Sequence, residues 1–257
     1  MARSARQKSK SGIYHIILRG ANRHAIFHND DDCIRFLEIL ETYKNKSNIN
    51  ILAWCLMGNH VHLLLKEGNE ELAVTMKRIG VSYASYYNWK YKTIGHLFQD
   101  RFKSENVEND SYLLTVTRYI HQNPVKAGIV TKPEEWKWSS CQSYYKVAVT
   151  PSSLLDDEII LSMFAEGKKL DIKRFKEFNE SNNEDKHMDE DIRIRLTDDE
   201  AKEEIRKSIN GYQIAQVKSL PKETRNEIIS KLKRVEGLTQ RQISKIFEIP
   251  LSMVNRA

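Results

Sequence analysis

The order of apolar segments predicts an α+β domain followed by a small all-α unit, and three observations carry that expectation. Apolar runs of strand length occur at residues 13–20, 49–57 and 60–66, the last two separated only by Gly58-Asn59, a dipeptide of the tight-turn class. Between and after them, apolar residues recur at helical spacing: Cys33, Phe36, Leu37, Leu40 and Tyr43, then Leu72, Met76, Ile79, Tyr83 and Tyr86. Residues 187–257 read as helical.

Taken in order, residues 13–20 form a first strand, buried for most of its length, and Ala21-Asn22-Arg23-His24 a polar, basic loop. Asp30 to Asp32 favour the start of a helix over residues 31–46, because acidic groups suit the positive end of the helix dipole. Residues 49–57 and 60–66 make a hairpin. A long helix over residues 70–91 ends in Tyr83, Tyr86, Tyr87, Trp89 and Tyr91, rings expected mainly to pack rather than to stack on bases. A short basic strand is expected around Arg101-Phe102-Lys103, then a helix from Asp110 to Gln122. Asn123-Pro124 is expected to close that helix, since a residue before proline is pushed out of helical geometry.

This βαββαβ order with a final helix is the ferredoxin-like, split-βαβ arrangement. Its helices cover one sheet face and leave the other for a site or a further helix, and strands one and three lie side by side, which brings His15 near His60 and His62. Residues 134–145, rich in aromatics and serine, are expected to wrap the domain, and Thr150-Pro151-Ser152-Ser153 marks a break. The resulting division is a first, α+β domain at 1–146, a helical linker at 147–186 with a polar stretch at 179–185, and a helical domain at 187–257. Within the last, Thr239 is an N-cap, Ile243 and Ile246 an apolar face, Ile249 fills a turn, and Ser252, Met253 and Val254 open another helix. The spacing resembles a DNA-binding helix-turn-helix; a plain helical hairpin is the alternative.

Composition narrows the function. At 257 residues the chain has no apolar run near the roughly 20 residues of a membrane span, and its basic first residues are followed by no signal-like apolar segment. Three cysteines without CxxC spacing are expected to be free thiols in a reducing cytoplasm. Residues 1–146 carry 21 Lys and Arg against 14 Asp and Glu, whereas residues 147–257 carry 20 against 21. A polyanion is therefore the natural partner of the first part.

Two constellations carry chemistry. On a strand, His60 and His62 project from one face, about 7 Å apart along the chain, and two imidazoles so placed can grip one metal ion. On the helix from Asp110, Tyr119 and Asn123 share a face. A phenol with an ordinary pKa of about 10 is a weak nucleophile, but beside a divalent ion it can attack a phosphodiester and retain the bond energy as phosphotyrosine. The amide oxygen of Asn123 completes a nitrogen and oxygen donor set suited to Mg²⁺ or Mn²⁺.

The runs Tyr14-His15-Ile16, Arg19-Gly20, Asn22-Arg23, Met57-Gly58-Asn59-His60-Val61-His62-Leu63, Arg101-Phe102-Lys103-Ser104 and Arg118-Tyr119-Ile120-His121-Gln122-Asn123-Pro124-Val125-Lys126-Ala127-Gly128 resemble the single-tyrosine HUH transposases, in the IS200-like superfamily. They are most similar to the REP-associated tyrosine transposase branch, over about residues 10–146. The resemblance implies a transposase and single-strand nickase acting on single-stranded hairpin DNA of repeated elements. It places the HUH histidines at His60 and His62 and the nucleophile at Tyr119. The third metal ligand of the family falls at Asn123, where relatives have Gln; Gln122 and His121 are the other candidates. Arg19, Arg23, Arg101, Lys103 and Lys126 are the expected DNA-binding residues, and a bacterial cytoplasmic, nucleoid-associated protein is implied. Monomer or homodimer, and tyrosine in cis or in trans, stay open. The competing reading is a domesticated, non-cleaving DNA-binding regulator; a small-phosphoester hydrolase is disfavoured by the basic charge.

Overall fold

A computed structural model describes residues 7–147, 153–165, 171–183, 185, 196–209, 211–235 and 237–257. The start of the basic arm, residues 1–6, and most of the break at 150–153 lie outside them. The chain divides into two compact units, Met1–His187 and Met188–Ala257.

In the first unit, β1 (Ile13–Arg19), β2 (Asn50–Met57), β3 (His60–Lys66) and β4 (Lys103–Asn106) pair antiparallel in the order β2-β3-β1-β4. Helices α1 (Asp30–Ser47) and α2 (Leu72–Tyr91) supply the crossovers, so the expected α+β, ferredoxin-like topology is present. Alternation divides the apolar residues between two layers. Tyr14, Ile16, Leu18, Trp54, Leu56, Val61, Leu63 and Leu65 meet Phe36, Leu40, Met76, Ile79 and Tyr83 of the two helices. On the opposite face, Ala53, Cys55, Met57 and Leu64 meet Leu113, Val116 and Ile120 of α3 (Asp110–Lys126). Most of the α2 rings serve packing: Tyr83 is buried and its hydroxyl donates to the Ile26 carbonyl, while Trp89 stays 71% exposed.

Two expectations about element bounds need correction. Helix α3 does not close at Gln122 but runs through the buried Pro124 to Lys126. Proline removes one helical N–H bond and crowds the Ile120 carbonyl, and here its ring is buried within the helix's packed face. Asn123 and Lys126 thus belong to the helix that carries Tyr119. The fourth strand also begins later than expected, at Lys103; Phe102 turns into the core and Arg101 is exposed ahead of it.

The described part of residues 147–186 is not a linker. With α4 (Cys141–Tyr144), α5 (Glu158–Leu161) and α6 (Ile172–Glu180), it builds the outer layer of the first unit. Leu154, Ile160, Leu161 and Phe175 are fully buried, and the Phe175 ring lies 4.7 Å from that of Tyr144. Charged neighbours disguise this sparse apolar stripe in the sequence. The same layer seals the edge of β2: Leu56 N–H donates to Trp138 O (3.0 Å), Ser140 N–H to Trp54 O (3.0 Å) and the Tyr144 hydroxyl to Leu52 O (2.7 Å).

The second unit holds α7 (Asp198–Ser208), α8 (Ile214–Val217), α9 (Lys222–Leu232), α10 (Gln240–Phe247) and α11 (Leu251–Arg256) around Ile205, Val217, Ile229, Leu232, Ile243, Phe247 and Val254. Thr239 and Gln242 form a capping box, and Glu248 (φ 55°) turns the chain so that Ile249 is buried between α10 and α11. Among the described residues no helix is long and apolar enough to cross a membrane, and Cys33, Cys55 and Cys141 are buried free thiols.

Candidate active site

Strand register builds the site. Arg19 stands opposite His60, Ile17 opposite His62, and His15 opposite Leu64, so His15, Arg19, His60 and His62 share the face that α3 covers. The His60 and His62 rings lie 4.9 Å apart, nearly perpendicular. His62 is fully buried, and its Nδ1 is 3.1 Å from His15 Nε2. The other nitrogen of His15, Nδ1, is 3.8 Å from Glu105 Oε2 on β4, which pairs across from it. His60 Nδ1 is held at 2.7 Å by Asn59 Oδ1, while the Asn59 amide donates to the Arg23 carbonyl at 3.2 Å. His60 and His62 therefore each have Nδ1 held by a neighbour.

Tyr119 arrives from α3. It is buried, with its ring edge-on to His62 at 5.7 Å and to His15 at 5.9 Å. Lys126 Nζ lies 4.9 Å from the Tyr119 ring centroid and donates to the Asp185 carbonyl at 3.0 Å. Tyr112, the neighbouring tyrosine two turns earlier, has its phenol pushed well up by burial and by a hydrogen bond with Glu105.

The three candidates for a third metal ligand differ in their surroundings. His121 is fully buried, held by Asn179 Oδ1 (3.0 Å) and Ser140 Oγ (2.8 Å) away from the histidine pair. Burial pushes its imidazole down to about 4, against the opposing effect of the Asn179 hydrogen bond. The Gln122 amide donates to the Asn179 and Ser181 carbonyls, and its oxygen accepts from Asn183. Asn123, one turn after Tyr119, adjoins it along the helix, as Gln122 also does by spacing. Among the described residues no group of three or more His, Cys, Asp and Glu is placed to hold a metal ion. Two imidazoles, one amide oxygen and a substrate phosphate could together hold a divalent cation.

The basic residues are not equivalent. Arg19 and Lys103 project from the histidine face of the sheet, opposite His60 and Ile17. Arg23 ends a short turn (Ala21–Arg23) that Asn59 ties to the β2–β3 hairpin. Arg101 is exposed outside the sheet. Sequence reading did not single out Asn59 or Glu105 as site residues. The adjacency of Asn59 to His60 was a usable signal; the placement of Glu105 depended on the register of β4.

Part of the chain that carries this geometry is similar to known proteins. Residues 8–123 match the family described as Transposase IS200 like. A candidate REP-associated tyrosine transposase of Haemophilus influenzae is 26% identical over 112 residues, 39% of this chain and 63% of that protein. The match thus spans less than two thirds of that relative's length. Among solved structures, the chain is similar to a REP-associated tyrosine transposase bound to a REP hairpin, with 20% identity and a TM-score of 0.48, covering 61% of this chain and 93% of that one. It is also similar to a candidate transposase from Deinococcus radiodurans R1, with 19% identity and a TM-score of 0.34, covering 47% and 97%. Over residues 8–123, then, this chain is similar to the IS200-like transposases.

Proposed function

We propose that the first unit cuts and rejoins single-stranded hairpin DNA of repeated elements, with Tyr119 as nucleophile. The observation that supports this most is the approach of the Tyr119 ring to the buried His62 within one chain. On this reading the site works in cis. The Tyr119 oxygen attacks a backbone phosphorus as the bond to the 3′-oxygen of the preceding nucleotide breaks. The phenolic proton is given up, the departing 3′-oxygen takes up a proton, and a 5′-phosphotyrosine is left. A second 3′-hydroxyl attacking that phosphorus restores the phenol and rejoins a strand. One phosphate ester replaces another at each step, so no outside energy source is needed.

His60, His62 and Asn123 are the residues we assign to Mg²⁺ or Mn²⁺, with Nε2 as the ligating atom of each histidine because Nδ1 is the fixed one. When bound, the ion offsets charge on the non-bridging oxygens. Lys126 stabilises negative charge on the Tyr119 oxygen, while Arg19, Arg23, Arg101 and Lys103 hold phosphates along the strand. In the second unit, α10 and α11 are read as a helix-turn-helix for duplex DNA: Ser252, Asn255 and Arg256 are exposed on α11, and residues 214–257 hold nine Lys and Arg against four Asp and Glu. Such a protein acts in the bacterial cytoplasm, at the nucleoid.

The test is incubation of the full chain with end-labelled single-stranded hairpin DNA and Mn²⁺. The expected product is a denaturation-resistant adduct on the 5′-phosphate side of the cut, with a free 3′-hydroxyl on the other fragment. DNA binding without any adduct would instead favour a regulator that does not cleave.

A further inference from the structure

Helix α3 is gripped from behind by a segment beyond the matched family residues 8–123. Arg118 donates from Nε and Nη2 to the two carboxylate oxygens of Asp185 at 2.8 and 3.0 Å, and its guanidinium lies over Phe178 at 4.4 Å. His121 and Gln122 bond Asn179 through its side chain and its carbonyl (3.0 and 2.8 Å). Asn179 is fully buried and donates in turn to the Tyr145 hydroxyl at 2.9 Å. On the far side of His121, Ser140 Oγ accepts from the Trp54 amide at 3.0 Å, which ties the network to β2. Lys126, the cation over the Tyr119 ring, donates to the Asp185 carbonyl.

These contacts straddle Pro124. Without its N–H the helix loses a bond to the Ile120 carbonyl, one residue beyond Tyr119, so the helix is weakest where the proposed chemistry needs it fixed. Residues 118, 121 and 122 are held before the break and 126 after it. We infer that Asn179 and Asp185 are positioning residues: from behind α3 they set the place of the Tyr119 oxygen relative to the histidine pair. The inference rests on the tyrosine reading of the site. In-line attack tolerates little displacement, and a shift of about 1 Å can cost about 100-fold in rate. The bidentate Arg118–Asp185 pair fixes angle as well as distance, which a single hydrogen bond does not.

The experiment compares the full-length chain with Asp185→Ala, Asn179→Ala and the exchange Arg118→Asp with Asp185→Arg. Single-turnover adduct formation on labelled hairpin DNA is read beside DNA affinity and thermal midpoint. Asp185→Ala is expected to slow adduct formation about tenfold or more while DNA affinity stays within about twofold, and the exchange to recover most of the rate. A rate within about twofold of wild type, or a fall matched by equal loss of DNA affinity or by unfolding, overturns the inference. A second readout is independent of cleavage: the ¹⁹F resonance of fluorotyrosine at position 119, assigned by its loss in Tyr119→Phe. It should shift or broaden in Asp185→Ala, and an unchanged resonance contradicts positioning. If wild type forms no adduct yet that resonance moves, the positioning stands and the proposed reaction fails.

Discussion

His15 Nε2 lies 3.1 Å from His62 Nδ1, and the two rings stack at 5.4 Å in the buried layer between sheet and α3. His62 is thereby oriented by a residue two strand positions from its own cross-strand partner Ile17. A partner that fixes the tautomer and direction of a ligating imidazole typically contributes 10- to 100-fold in metal affinity. His15→Ala is expected to weaken Mn²⁺ binding by about that factor while His60→Ala and His62→Ala abolish it. Calorimetric titration of the three variants checks this, and wild-type affinity in His15→Ala would remove it from the site.

Arg19, Arg23, Arg101 and Lys103 are each expected to meet a phosphate. For single strands the slope of log affinity against log salt falls by about 0.7 for each contact. Removing Arg19 or Lys103, on the histidine face, should flatten the slope by that amount and weaken binding evenly across sequences. Arg101→Ala discriminates most, because Arg101 stands outside the sheet; an unchanged slope there would take it out of the interface.

Asp32 anchors the opposite layer. Burial alone would raise its carboxyl, but hydrogen bonds from Lys90, Tyr91, the His28 backbone and Tyr86 outweigh that and bring it down to about 2. Since the folded value lies below the unfolded one of about 4, its stabilisation is complete above pH 4 and disappears as pH falls through about 2. Asp32→Asn should destabilise the protein at pH 7 by about 1–3 kcal/mol, and less at pH 2. Denaturant unfolding at the two pH values measures it; an equal cost at both would show that charge is not the cause.

Gly20 is required by close approach. A Cβ there would lie 2.2 Å from the His24 carbonyl oxygen and 2.9 Å from Ile26 Cγ2. Gly20→Ala should therefore cost about 2 kcal/mol or more and loosen the turn that Asn59 ties to the hairpin. Equilibrium unfolding checks the cost, and a loss under about 0.5 kcal/mol would contradict it.

Much of the first unit was legible because its signals are local. Strand β3 begins and ends where the apolar run does, and same-face projection of His60 and His62 follows from alternation alone. The nearness of His15 followed from strand order. What was not legible depended on contacts far apart in sequence. Pro124 stays helical because its ring is buried, and Phe175 reads as an isolated aromatic in a charged stretch until Tyr144 is beside it. Glu105 and Asp185 became meaningful only once β4 was registered against β1 and residues 179–185 were seen to lie along α3.

The central claim is that Tyr119 is the nucleophile. Tyr119→Phe removes one oxygen from a buried ring and keeps its packing against His15 and His62, so folding, Mn²⁺ binding and hairpin DNA binding should persist. Intact-mass analysis of both proteins after incubation with single-stranded hairpin DNA and Mn²⁺ is the direct measurement. Wild type should gain the mass of the 5′-phosphorylated fragment and Tyr119→Phe should gain none. An adduct of the same mass on Tyr119→Phe would place the nucleophile on another residue and contradict the account.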